Sequence, residues 1–172
     1  VDTSTSTATS TPTERAGDAP TLTTEGFGDL RFGEKIPEDS TLAAFNEKAC
    51  DGGGAVTLLP DIGSENDVNV VTKDRTLGTA IVAVVLFTDA FATKSGIRVG
   101  DSLDDLMATY GDELKDASYD SSPEGLYQVT GDAGRVLFQL EDDTIAAIGL
   151  VTNDDGQVSF LNTDGFSPCG QA

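Results

Sequence analysis

Apolar side chains recur along this chain at two different spacings, and the switch between them marks its elements. From 79 to 87 the chain reads Thr-Ala-Ile-Val-Ala-Val-Val-Leu-Phe, apolar almost without interruption and rich in β-branched residues, as expected of a strand covered on both faces. Further strands are predicted at 55–59, 68–72, 126–130, 135–141, 144–152 and 158–161, where bulky apolar residues lie between clusters of Gly, Asp and Asn. The separators Gly131-Asp-Ala-Gly134, Asp142-Asp143 and Asn153-Asp-Asp-Gly156 are short. Connections of that length favour antiparallel neighbours, so the C-terminal half is predicted to be a meander.

Two segments carry the helical spacing instead. In Gly96-Ile-Arg-Val-Gly-Asp-Ser-Leu-Asp-Asp-Leu-Met-Ala-Thr-Tyr-Gly111, Ile97 and Val99 alternate as a short strand and Asp101 or Ser102 caps a helix. Leu103, Leu106, Met107 and Tyr110 form its apolar stripe, and Gly111 supplies a left-handed stop. A weaker copy precedes it, with Leu30 and Phe32 as strand, Ser40 as cap and Leu42, Phe45 and Ala49 at helical spacing, polar Asn46 standing where the later copy has Met107. Asp51-Gly-Gly-Gly54 then reads as a helix stop and turn, because it follows the helical pattern and no Lys-Ser/Thr succeeds it as in a phosphate-binding loop. The fold class expected is α+β: two related strand–helix–antiparallel-strand halves, with both helices packed on one face of a curved, mainly antiparallel sheet. The divisions are a stalk at 1–24, a first half at 25–92 and a second at 93–172, the halves sharing one core.

Composition changes this picture at the N-terminus, where residues 1–24 are mostly Thr, Ser, Ala and Pro with almost no large apolar side chain. A segment of that kind cannot offset the entropy of ordering itself and is expected to be a disordered tether. In an exported protein such a tether separates a folded domain from a lipid anchor or the cell wall. Two expectations follow: an anchor preceding Val1, or free secretion. No run of about eighteen apolar residues occurs, so no membrane-spanning helix is expected.

The formal charge is −20, and residues 101–172 hold 15 of the 30 acidic residues but only 2 of the 10 basic ones. Nucleic acid and anionic lipid are thereby disfavoured as partners, since both need Lys and Arg against phosphate. A basic partner, or simple solubility, accounts for the charge better.

Cys50 and Cys169 are the only cysteines, lack C-x-x-C spacing, and have no histidine to complete a zinc or nucleophile site. A disulfide between them is expected, implying an oxidising compartment; two unpaired thiols are the alternative. Absent histidine and a missing G-x-S-x-G remove the common Ser-His and Cys-His arrangements. Asp101, Asp104 and Asp105 near a helix start are read as dipole partners rather than a catalytic pair. Glu141-Asp-Asp143 and Asp154-Asp155 are read as hairpin turns, since neither has the spaced ligands of a calcium loop. No catalytic residue, cofactor or metal ligand is therefore assigned. Phe87, Phe91, Tyr119 and Tyr127 are the candidates for a binding face, with core packing as their other role.

The repeated strand-Gly-Asp-Ser-helix-Tyr-Gly phrase resembles an element of small bacterial envelope proteins: SmpA/BamE-type lipoproteins and the β-lactamase inhibitory protein fold. The stalk, the opening at Gly26 to Gly33 and the phrase from Thr93 to Gly111 are similar to actinobacterial secreted or lipid-anchored proteins of unknown function. The first copy departs from that phrase, with extra residues between Gly33 and Ser40, and the inhibitor's binding loops have no counterpart here. The resemblance implies an extracytoplasmic fold used for protein–protein binding. The functional expectation is a noncatalytic cell-envelope or secreted protein that binds another protein or an envelope component. A surface sensor or carrier domain for a small molecule or a cation is the alternative.

Overall fold

The computed structural model describes residues 19–50, 53–59, 62, 67–73, 79–118 and 125–153, with residues 45, 47–50 and 53–58 in backbone alone. Its centre is a six-stranded antiparallel sheet built from β6 (Val68–Thr72), β7 (Ile81–Leu86), β8 (Lys115–Asp116), β9 (Leu126–Thr130), β10 (Gly134–Glu141) and β11 (Thr144–Thr152), in the order β6-β7-β11-β10-β9-β8. The meander read from the short turns is present, β9 pairing with β10 and β10 with β11. β7 pairs with β11 through Leu86 opposite Ile148 to Ala83 opposite Val151, bringing the most apolar segment of the chain into the middle of the sheet. Burial on both faces is what its unbroken apolar run requires.

Alternation along each strand sorts side chains between the two faces. Val84, Leu86, Val136, Phe138, Ile148 and Leu150 join the main core, while Val71, Ala83, Val85, Leu126, Leu137 and Val151 make a second buried cluster. A bulge between Gln139 and Leu140 shifts the β10–β11 register by one residue. Inward alternation is thereby kept along a bent strand.

Three short strands cover part of the main face: β1 (Leu22–Thr23), β2 (Gly26–Phe27) and β3 (Leu30–Arg31), in a separate antiparallel sheet. Leu22, Phe27 and Leu30 are almost completely buried in the main core, and the Phe27 ring meets Phe91 edge-on at 5.1 Å. The tether expected to extend to Thr24 is therefore cut short. Leu22, one large apolar side chain in a polar context, is enough to dock the end of that segment; residues 1–18 lie outside the described residues.

The first expected helix is a strand, β4 (Ala43–Cys50), paired with β5 (Gly53–Leu58). Its capping hydroxyl does part of the predicted work: Ser40 Oγ accepts the amides of Leu42 and Ala43, both at 3.2 Å. Ser40 Oγ also donates to Asp29 Oδ1 at 3.1 Å, while the Thr41 amide donates to Asp29 Oδ2 at 2.8 Å. These bonds satisfy the backbone in a local turn, offering it an alternative to a helix, and the chain leaves extended. Antiparallel pairing of 43–46 with 55–58 then outweighs a weak helical spacing. Gly53 and Gly54, read as part of a helix stop, belong to β5.

Ile97 and Val99 likewise form no strand. The 93–101 segment is two tight turns in which Gly96 and Gly100 both have φ of +94°, a conformation open to glycine. The expected pair of helices on one sheet face is thus a single α-helix among the described residues, with the small sheet and Leu42 packed on the same core. The α+β class and the antiparallel sheet stand.

Helix α1 (Leu103–Tyr110) has the expected cap. Ser102 Oγ accepts the Asp105 amide at 3.1 Å, and the Asp105 carboxylate in turn accepts the Ser102 hydroxyl and amide. Leu106 is fully buried, Leu103 and Tyr110 are half-buried against the core, and Tyr110 packs on Phe138 at 5.6 Å. Met107, expected in the stripe, is 54% exposed. A helix of two turns touches the sheet along a narrow line, and Met107 falls on its flank. At Gly111 φ is +50° but ψ is −123°, so the stop uses positive φ without the left-handed helical conformation.

The β10–β11 turn holds the start of this helix. Asp142 and Asp143 have φ of 48° and 61°, as a two-residue turn of the I′ type demands, and the Asp143 carbonyl accepts the Leu103 amide at 2.9 Å. The acidic pair read from sequence as turn residues therefore also satisfies a free helix amide.

The Ser102 hydroxyl, with its amide, holds the Asp105 carboxyl below the usual carboxylate range. A carboxyl whose pKa is lower in the folded than in the unfolded chain contributes stability above its unfolded pKa, and that contribution fades as pH falls through the folded one. Ser102→Ala is expected to cost about 1 kcal/mol at neutral pH. It is also expected to flatten the fall in stability below about pH 4, measured by urea unfolding across pH.

Candidate functional site

A cleft of about 240 Å³ opens where the small sheet, the 93–95 turn and the end of α1 meet the main sheet. Val129 on β9 and Val136 on β10 stand directly opposite one another and supply apolar lining from the sheet face. Leu22, Thr23, Thr24 and Glu25 line it from β1 and the following turn, Thr93, Lys94 and Ser95 from the loop, and Tyr110 from the helix.

Backbone pairing fixes these segments relative to one another. Leu22 donates to the Ala92 carbonyl and accepts from the Lys94 amide, both at 3.0 Å, in a parallel bridge between Leu22 and Thr93. Thr93 Oγ1 accepts the Ile97 amide at 3.1 Å and the Tyr110 hydroxyl at 3.0 Å, tying helix to loop. Thr24 sits against Gly131, where the close approach leaves no room for a Cβ. Asn153 in turn pins the 131–132 turn by donating Nδ2 to both carbonyls.

The electrostatics are local and mixed. Glu25 pairs with Arg31 at 3.1 Å, both side chains more than half exposed, so the pair adds little stability. Lys94 lies on the opposing loop and enters no ion pair among the described residues. Away from the cleft, the Ser118 amide and hydroxyl hold the Asp116 carboxyl below its usual range. Among the described residues no three His, Cys, Asp or Glu side chains are grouped to hold a metal ion, and no helix is long and apolar enough to cross a membrane.

The aromatic candidates occupy separate environments. Phe87 is 40% exposed at the end of β7, Phe91 is buried against Phe27, and Tyr127 is half-buried opposite Phe138. Tyr119 and Cys169 lie outside the described residues, as does the side chain of Cys50. Thr93, Lys94 and the 22–25 turn were not expected as site residues, because the cleft is assembled from segments far apart in the chain. The one local signal was Tyr110, since a tyrosine on a buried helix face needs a partner for its hydroxyl.

No family model matches the chain, and no curated protein matches it. Among solved structures, the uncharacterized protein yfeY from Escherichia coli aligns with 76% of this chain and 99% of its own, at 14% identity and a TM-score of 0.37. Likeness at that level assigns neither fold nor function.

Proposed function

We propose that this chain is a noncatalytic, extracytoplasmic binding protein, cell-envelope anchored or secreted, whose ligand is a small molecule held in the cleft. The observation that carries the reading is the cleft itself, a concavity with apolar lining, several hydroxyls and one lysine, smaller than the pockets of drug-sized ligands. A broad protein interface is less well supported. Phe87 and Met107 are the only exposed large apolar side chains among the described residues, Phe87 lying just beyond β7 and Met107 on α1.

The noncatalytic reading draws on the chain's lack of histidine and on the two carboxyls, Asp105 and Asp116, whose pKa values are displaced. Both are shifted downward by serine donors, which keeps them ionised and makes them poor proton donors near neutral pH. The Thr/Ser/Pro-rich N-terminus and the two distant cysteines support export, by a lipid anchor or by secretion.

Thermal melting against a panel of small acids, bases, neutral compounds and calcium tests the reading. A ligand at about 100 times its Kd is expected to raise the melting point by roughly 5 to 10 °C. No response to any small molecule, together with a specific protein recovered from envelope extracts, would transfer the function to a protein partner.

A further inference from the structure

The hydroxyl pair in the cleft wall carries one proton more than the protein uses. Thr93 Oγ1 accepts from both Ile97 and Tyr110, and Thr93 is only 3% exposed. Its own hydroxyl proton has no acceptor among the described residues. Leaving a buried donor unmade is costly, so a ligand oxygen in the cleft gains from meeting it.

The next residue along the loop, Lys94, lines the same cleft, and no described carboxylate engages its ammonium, while Glu25 is turned to Arg31. Donation of the Lys94 amide to the Leu22 carbonyl anchors that loop beside the apolar lining. Thr93 and Lys94 thus give the cleft a donor and a cation, Leu22, Val129 and Val136 give it apolar lining, and the Thr23, Thr24 and Ser95 hydroxyls complete it beside Glu25, whose carboxylate is engaged by Arg31.

Resting on the small-molecule reading above, the geometry points to a monocarboxylic acid with a short apolar body as the ligand class. Its carboxylate takes the Thr93 hydroxyl proton and the Lys94 ammonium, and its body lies on Leu22, Val129 and Val136. The chain's overall negative charge does not prevent this, because charges beyond about 8 Å are largely screened at physiological salt whereas Lys94 acts at contact.

Calorimetric titration of the full chain with hexanoate, hexanamide and hexylamine, which share one tail, isolates the head group. Hexanoate is expected to bind about tenfold more tightly than hexanamide, with hexylamine weakest. Lys94 is exposed, so Lys94→Met should fold normally; it is expected to weaken hexanoate about tenfold and leave hexanamide unchanged. Equal affinity for the three probes, a preference for hexylamine, or a Lys94→Met variant that binds hexanoate as before overturns the carboxylate assignment while leaving the cleft a small-molecule site. Failure of all three probes to bind also overturns it, and the wider ligand panel then decides whether the cleft binds anything small.

Discussion

Replacing Gly26 by alanine is expected to destabilise the folded chain by about 3 kcal/mol or more, and by valine further still. Gly26 adopts φ of +148°, a conformation that side chains with a Cβ rarely tolerate, and a Cβ built there would run into the Leu30 carbonyl oxygen and come within 3.0 Å of the Arg31 Cα. Both obstacles are backbone atoms of the paired strand, since Gly26 lies opposite Arg31 in the small sheet. Relief would separate β2 from β3 and withdraw Phe27 and Leu30 from the core. Denaturant unfolding gives the number directly. A loss below about 1 kcal/mol would mean that the small sheet contributes little to the fold.

Truncating Phe138 to alanine is expected to cost about 3 to 5 kcal/mol. Phe138 is fully buried in the central strand β10, between Tyr127 on β9 and Ile148 on β11 in the register, with its ring against Tyr110 of the helix. Its removal leaves a cavity where helix meets sheet, and rigid sheet neighbours limit how far the site can collapse. The melting point should fall by roughly 10 °C for a chain of this size. Phe138→Leu, which keeps most of the volume, should cost much less. Equal losses for the two variants would show that the aromatic contact with Tyr110, rather than filled volume, sets the stability.

Where a rule acts over a few neighbouring residues, the chain was readable. The cap, read as Asp101 or Ser102 and found at Ser102, the buried Leu106, the run that became β7 and the acidic turn at Asp142 and Asp143 depend on side-chain chemistry and spacing within one element. The segment from Ser40 to Cys50 was not readable in that way. Leu42, Phe45 and Ala49 satisfy a helical spacing, yet pairing with Gly53–Leu58 and the carboxylate of Asp29 both lie outside any local window. Leu22 shows the same limit in reverse, since composition places it in a tether and only its contact with the 92–94 backbone makes it core.

Much the same division applies to function. Charge, the lack of histidine and the N-terminal composition narrow the available chemistry from residue types alone, and the binding reading proposed above draws on them. The cleft required the folded chain: Thr23, Lys94, Tyr110 and Val136 come from four segments that meet only after the small sheet docks on the large one. Residue types set the local choices of turn, cap and apolar stripe. Which candidates meet, and which spacing prevails where two compete, is decided by long-range backbone pairing and shared burial, whose free energy appears only when distant parts of the chain come together.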